Sequence, residues 1–162
     1  MKYAHSIKLN VFSYEDEDSK VILDSFLRFF PFSLEENKIA VKKTHAIGFS
    51  EKKIGIFEAT LTKENLVNRF INNILKNLGK GQKNLILQQA ESRLDENLDF
   101  FLRFDKDSWI DKNKLNLTDL GKCFHLKISI AAFPKKRGVA LNIIRKIFNS
   151  PNLKILYSKC QR

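Results

Sequence analysis

The sequence predicts an α+β fold, a two-layer sandwich with helices on one face of a mostly antiparallel sheet of about five strands. Three observations predict it. Ile7, Leu9 and Val11 alternate with Ser6, Lys8 and Asn10, the period of a half-buried strand. Val67, Phe70, Ile71, Ile74 and Leu78 recur at the spacing of one helix face. The strand alternation is clean enough to leave one sheet face wet, which antiparallel sheets tolerate.

Taken in order, "SIKLNVF" is the first strand. "YEDEDSKVILDSFLRFFP" predicts an amphipathic helix with Ile22, Leu23, Phe26, Leu27 and Phe30 on one side, stopped by Pro31. Its acidic run Glu15–Asp18 falls in the opening turn, where the helix dipole favours negative charge. "KIAVKKTHA" and "IGIFEATL" predict two strands of a hairpin around "IGFSEKK". "KENLVNRFINNILKNLG" predicts a helix closed by Gly79 as its C-terminal cap, followed by a second helix, roughly "QKNLILQQAESRL". "NLDFFLRFD" turns Leu98, Phe100, Leu102 and Phe104 inward and Asp99, Phe101 and Arg103 outward. "KCFHLKISIAAF" does the same with Phe124, Leu126, Ile128 and Ile130 inward. The last helix starts at Pro134 or just after, since proline is tolerated at the first helical position. The order is β-α-β-β-α-α-β-β-α. No repeat or flexible linker interrupts it, so residues 1–149 read as a single domain followed by a basic tail, 150–162.

Composition narrows the function classes. Apolar residues make up 43% of 162 and include 14 Phe, enough for a core and too many for a disordered chain. The opening "MKYAHSIKLNVF" places charge and alternation where a secretory signal needs an apolar run. No uncharged stretch approaches the ~20 residues of a membrane span, so a cytoplasmic location without membrane contact is expected. Cys123 and Cys160 are too few for a disulfide framework.

Charge is distributed unevenly. Residues 1–119 hold 19 Lys and Arg against 18 Asp and Glu, while the 43 residues after Asp119 hold ten cations and no acid. Nearly all of the net +11 therefore sits in the C-terminal quarter, which suggests a polyanionic partner.

Catalysis finds no support. In "FFLRFDKDSW", a strand ending in Asp105-x-Asp107 resembles the nucleophile loop of haloacid-dehalogenase-type phosphatases. Trp109, however, stands where that loop wants Thr or Val, and no acid beyond Asp119 is available to hold magnesium. Capping of a short helical turn accounts better for both aspartates. "GKGQKN" lacks the phosphate-loop pattern. Cys123 and His125 share a strand face, but a closed zinc site takes four ligands. No metal, cofactor or catalytic residue is expected.

The stretch "FPKKRGVALNIIRKIF" carries the strongest binding signal. Ala140, Ile143, Ile144, Ile147 and Phe148 form its buried stripe, and Arg145 and Lys146 lie on the other side. Lys135, Lys136 and Arg137 crowd the first turn, where the dipole repels cations. Cations beside free helix N–H groups make a phosphate site, and a bound phosphate reverses that repulsion. Lys8, Asn10, Phe101, Arg103, His125 and Lys127 are expected to share the wet sheet face, with Arg103 and Lys127 as further phosphate contacts.

Together, "AHSIKLNVFSYEDEDSKV", "IFEATL", "LRFDKDSW" and "LKISIAAFPKKRGVALNIIRKIF" resemble the archaeal RNA-binding proteins associated with the exosome. The match runs in order over about residues 4–148. The resemblance implies a fold similar to the 5S-rRNA-binding ribosomal protein of the large subunit, with RNA and RNA-processing proteins as partners. The chain departs from the family at Lys52-Lys53, where Asn-Pro is common, and at Tyr14, where a capping Thr is common. The expected function is thus non-catalytic RNA binding. A protein-interaction or dimerisation module docking an acidic partner is the alternative, and a metal-dependent phosphohydrolase using Asp105 and Asp107 is a distant third.

Overall fold

Alternating apolar residues build the sheet. β1 (Ala4–Ser13) buries Ala4, Ile7, Leu9 and Val11, and β5 (Cys123–Ile130) buries Phe124, Leu126, Ile128 and Ile130 beside them. The computed structural model describes residues 2–48 and 52–150. Within them β2 (Lys42–Ile47), β3 (Lys53–Leu61) and β4 (Asp99–Asp105) complete a five-stranded antiparallel sheet of order β2-β3-β1-β5-β4. Register carries the pattern sideways. Ile7 lies opposite Leu61 and Ile128, Leu9 opposite Ala59 and Leu126, and Val11 opposite Phe57 and Phe124. Phe100, Leu102 and Phe104 of β4 extend the same three rows.

Helices cover that apolar face: α1 (Ser19–Leu27), α2 (Glu64–Asn77), α3 (Lys80–Gln88), α4 (Ala90–Arg93), α5 (Lys106–Lys112) and α6 (Arg137–Asn149). Phe29, just beyond α1, joins them to the sheet. Its ring centroid lies 4.7 Å from Trp109 of α5, 4.8 Å from Phe124 of β5 and 6.5 Å from Phe70 of α2. Phe148 of α6 packs 6.0 Å from Phe100. Such pairs add about 0.5–1.5 kcal/mol beyond the apolar area they bury. Among the described residues no helix is long and apolar enough to cross a membrane.

The two-layer α+β architecture and the five strands are as expected, and the helix boundaries are where sequence and structure part. The acids Glu15–Asp18 precede α1 and do not form its first turn. Asp18 is instead the N-cap residue, its carboxylate accepting from the Lys20 N–H at 3.0 Å. Gly79 is extended, at φ −71° and ψ 160°, and precedes α3. It is no left-handed cap of α2, which ends at an extended Leu78. The second predicted helix begins earlier, at Lys80, and is interrupted at Gln89, so α4 is separate. Pro134 lies outside the last helix. α6 begins at Arg137 because Lys136 is still extended, at φ −129° and ψ 145°. The hairpin tip at 49–51 and the tail at 151–162 fall outside the described residues.

Candidate nucleic-acid interface

The second face of the sheet is uncovered. Register places Thr60, Lys8, Lys127 and Phe101 in one row, and Glu58, Asn10, His125 and Arg103 in the next. All six residues expected on this face are therefore neighbours. Phe101 is 42% exposed, and Arg103 is exposed beside it. Two of the cations are paired, Lys8 with Glu58 at 3.2 Å and Lys127 with Asp99 at 3.4 Å. Such exposed pairs are weak and leave both lysines exchangeable. Arg103 has no acidic partner among the described residues.

His125 contributes a ring, not a charge. Burial lowers its pKa, and the positive charges of Arg103 and Lys106 lower it further. Its Nε2 lies 3.5 Å from the Cys123 sulfur, and its ring centroid lies 5.6 Å from that of Phe12. Burial pushes the Cys123 thiol up, which keeps it protonated. Among the described residues no group of three or more His, Cys, Asp or Glu could hold a metal ion.

The start of α6 carries the predicted cation cluster. Lys136 is the N-cap residue, offers no capping hydrogen bond, and is followed by a first turn without acids. Lys135 and Lys136 are exposed, and Phe133 just before them is 95% exposed. Arg137 turns back. Its Nη1 donates to the Leu94 carbonyl at 3.0 Å and its Nη2 to the Glu91 carbonyl. Carbonyls at a helix C-terminus attract cations, so this contact ties the start of α6 to the end of α4.

That tie decides which predicted residues come together. Leu94 lines a cleft that also contains Phe101 and Arg103, so α4 connects the Lys135–Arg137 turn to the rim of the open sheet face. Lys127 lies next to Phe101 on that face. Arg145 and Lys146 lie about 12 Å further along α6, from the rise of 1.5 Å per residue. Both are exposed on the helix layer, across the sheet from Arg103 and Lys127.

One lysine escaped sequence reasoning. Lys106 is 1% exposed, and its Nζ donates to the Phe12 carbonyl at 2.6 Å and to Glu17 Oε1 at 3.0 Å. It also lies 5.1 Å from the centre of the Tyr14 ring. Burial lowers its pKa, and the bond to Glu17 works against that. Two of the resembling motifs, "YEDED" and "LRFDK", thus meet through one ion pair; their joint presence was the available signal. Asp105 caps α5, accepting from the Ser108 N–H at 3.0 Å and hydroxyl at 2.7 Å. Trp109 donates its indole N–H to the Ser25 carbonyl at 2.8 Å. In the stretch that resembles a nucleophile loop, Asp105 thus caps and Trp109 packs, while Asp107 is exposed in the first turn of α5 and caps nothing among the described residues.

Residues 6–130 match the model of a protein family described as RNA binding. The matched stretch takes in β1 to β5, apart from the first residues of β1. RNA-binding protein PAB1135 of Pyrococcus abyssi is 22% identical over 143 residues, which cover 88% of this chain and 92% of that protein. Protein AF2318 of Archaeoglobus fulgidus shares the fold with a TM-score of 0.78 at 24% identity, over 89% of this chain and 99% of that one. Mth689, a DUF54 protein of Methanothermobacter thermautotrophicus, gives 0.73 at 25% identity, over 90% and 98%.

Proposed function

The chain belongs to the family described as RNA binding, and on that premise we propose that it is a non-catalytic RNA-binding protein. The observation that carries the reading is the union of two surfaces. Lys135 and Lys136 stand exposed at an uncapped helix start, and Arg137 ties that start to the rim of a wet sheet face bearing Arg103 and Phe101. Phosphate is drawn to helix N–H groups and to the cations around them. Single-stranded bases stack on exposed rings, so Phe101 suits a single strand better than a duplex. Lys127 extends the track on the sheet, and Arg145 and Lys146 offer phosphate contacts further along α6. We extend this reading, from the resemblance to exosome-associated proteins, to a role in cytoplasmic RNA processing; co-purification with exosome subunits after ribonuclease treatment tests that extension.

Binding of this kind is mostly electrostatic. Non-specific affinity is of order micromolar or weaker and falls steeply with salt. The test replaces Lys135 and Lys136 together with Glu and titrates labelled single-stranded RNA at several salt concentrations. Affinity falls more than tenfold, and the slope of log affinity against log salt shrinks by about 1.4, the value for two phosphate contacts on a single strand. Unchanged affinity and slope would remove this surface from the reading.

A further inference from the structure

The cleft between α4 and β4 encloses about 440 Å³. That lies within the range of small-molecule pockets, ~300–1,000 Å³, and is too small for a helix or a duplex. Its walls differ in character. Phe101 on the sheet side is a half-exposed ring with no aromatic partner among the described residues. Arg103 beside it is a cation with no acidic partner among them. On the α4 side Arg93 is immobilised. Its Nε and Nη2 donate to Gln89 Oε1 at 2.9 and 2.6 Å, and Nη2 lies 3.6 Å from the Asp119 carboxylate. Burial lowers the Arg93 pKa while Asp119 raises it, so this guanidinium already has its counter-charge.

A ligand for this cleft needs a flat apolar face for Phe101 and a negative charge for Arg103. It also needs polar edges for Gln89, Asp119 and the fixed guanidinium. A nucleotide has all three, and no purely anionic or purely apolar ligand has. Leu94 lines the cleft while its carbonyl holds Arg137, so a strand crossing the Lys135–Lys136 turn reaches the mouth next. We propose that this cleft is a subsite for one unstacked nucleotide of an RNA strand, its base lying on Phe101 and its phosphate meeting Arg103. The inference rests on the RNA-binding reading and adds to it a place where the strand is read base by base.

The test uses the full chain and a fluorescein-labelled decamer of single-stranded RNA, with a second decamer carrying 2-aminopurine at its centre. Phe101→Ala weakens binding about tenfold, within the range measured for loss of one base–aromatic stack. Phe101→Trp keeps the affinity of the natural chain, and Arg103→Gln weakens binding and lowers the salt slope. The 2-aminopurine signal changes on binding to the natural chain and not to Phe101→Ala. Phe101 and Arg103 are both exposed, so the variants keep the fold, which circular dichroism checks. If the natural chain binds the decamer and Phe101→Ala binds it equally well, the cleft proposal falls while RNA binding stands. If the natural chain binds no RNA, both fall. Uridine monophosphate binding as tightly as the decamer would give the cleft to a free nucleotide and overturn its use by a strand.

Discussion

Lys106 begins α5 and Lys136 immediately precedes α6, so each stands where a helix dipole disfavours positive charge. Their surroundings differ in one respect. Lys106 has acceptors within reach, the Phe12 carbonyl at 2.6 Å and the Glu17 carboxylate at 3.0 Å, and with them it is drawn into the interior. Lys136 has no side-chain hydrogen bond or ion pair among the described residues and is exposed. Its charge stays in water. The difference teaches that a cation at a helix start becomes part of the fold when the chain supplies its anion, and stays available to an outside anion when the chain does not.

Breaking the first region has the larger effect. Lys106→Met removes the nearer cation of the half-buried Glu17 carboxylate, leaving only Lys122 at 4.0 Å, and costs about 3 kcal/mol in urea denaturation, the low end of the penalty for breaking a buried pair. Adding Glu17→Leu recovers much of that loss; a cost below about 1 kcal/mol for Lys106→Met would show that the pair is peripheral. Asp105→Ala, which uncaps α5 beside it, costs about 1 kcal/mol and leaves RNA affinity unchanged. A loss of RNA binding there would contradict a purely structural role for Asp105.

His125 feels the positive charges of both Arg103 and Lys106. A histidine whose pKa is lowered on folding stays neutral in the folded chain and takes up a proton when unfolded. Its contribution is fully present above its ordinary value of 6.5 and is lost as pH falls below it. Denaturation midpoints therefore drop between neutral pH and pH 5, and His125→Gln flattens that part of the profile. Equal slopes in both chains would place the acid sensitivity elsewhere. The smallest effect has the opposite sign to the first. Without RNA, Lys135→Glu and Lys136→Glu each stabilise the chain by about 0.3 kcal/mol, because the dipole now favours the side chain. Thermal melts with and without RNA give that sign reversal directly.

Much of this was legible beforehand, and for a physical reason. Alternation alone assigns β1, β4 and β5 their two faces, and an antiparallel register then makes neighbours of residues that share a face. That alternation groups Lys8, Asn10, Phe101, Arg103, His125 and Lys127, and they occupy adjacent rows. The buried stripe of α6 followed from helical spacing in the same way. What stayed hidden depends on contacts between segments distant in sequence. Arg137 looks like its neighbours until its carbonyl partners are known, and these lie 43 and 46 residues upstream. Lys106 sits 89 residues from Glu17. The boundaries at Asp18, Gly79 and Lys136 depend on backbone angles that periodicity does not encode.

The strand order has a consequence for how the chain is made. β1 is synthesised first yet lies in the middle of the sheet, between β3 and β5. β3 reaches it early, but β5 starts about 110 residues after β1 ends. Until then one edge of the central strand holds unpaired N–H and C=O groups, the kind of edge that recruits strands from other chains. A sheet closed by so distant a partner is also slow to form. α6 is made later still, and Arg137 can dock only on an α4 already in place. A nascent or stalled chain thus has neither a closed sheet nor a positioned Lys135–Lys136 turn, and both are completed by the same final segments.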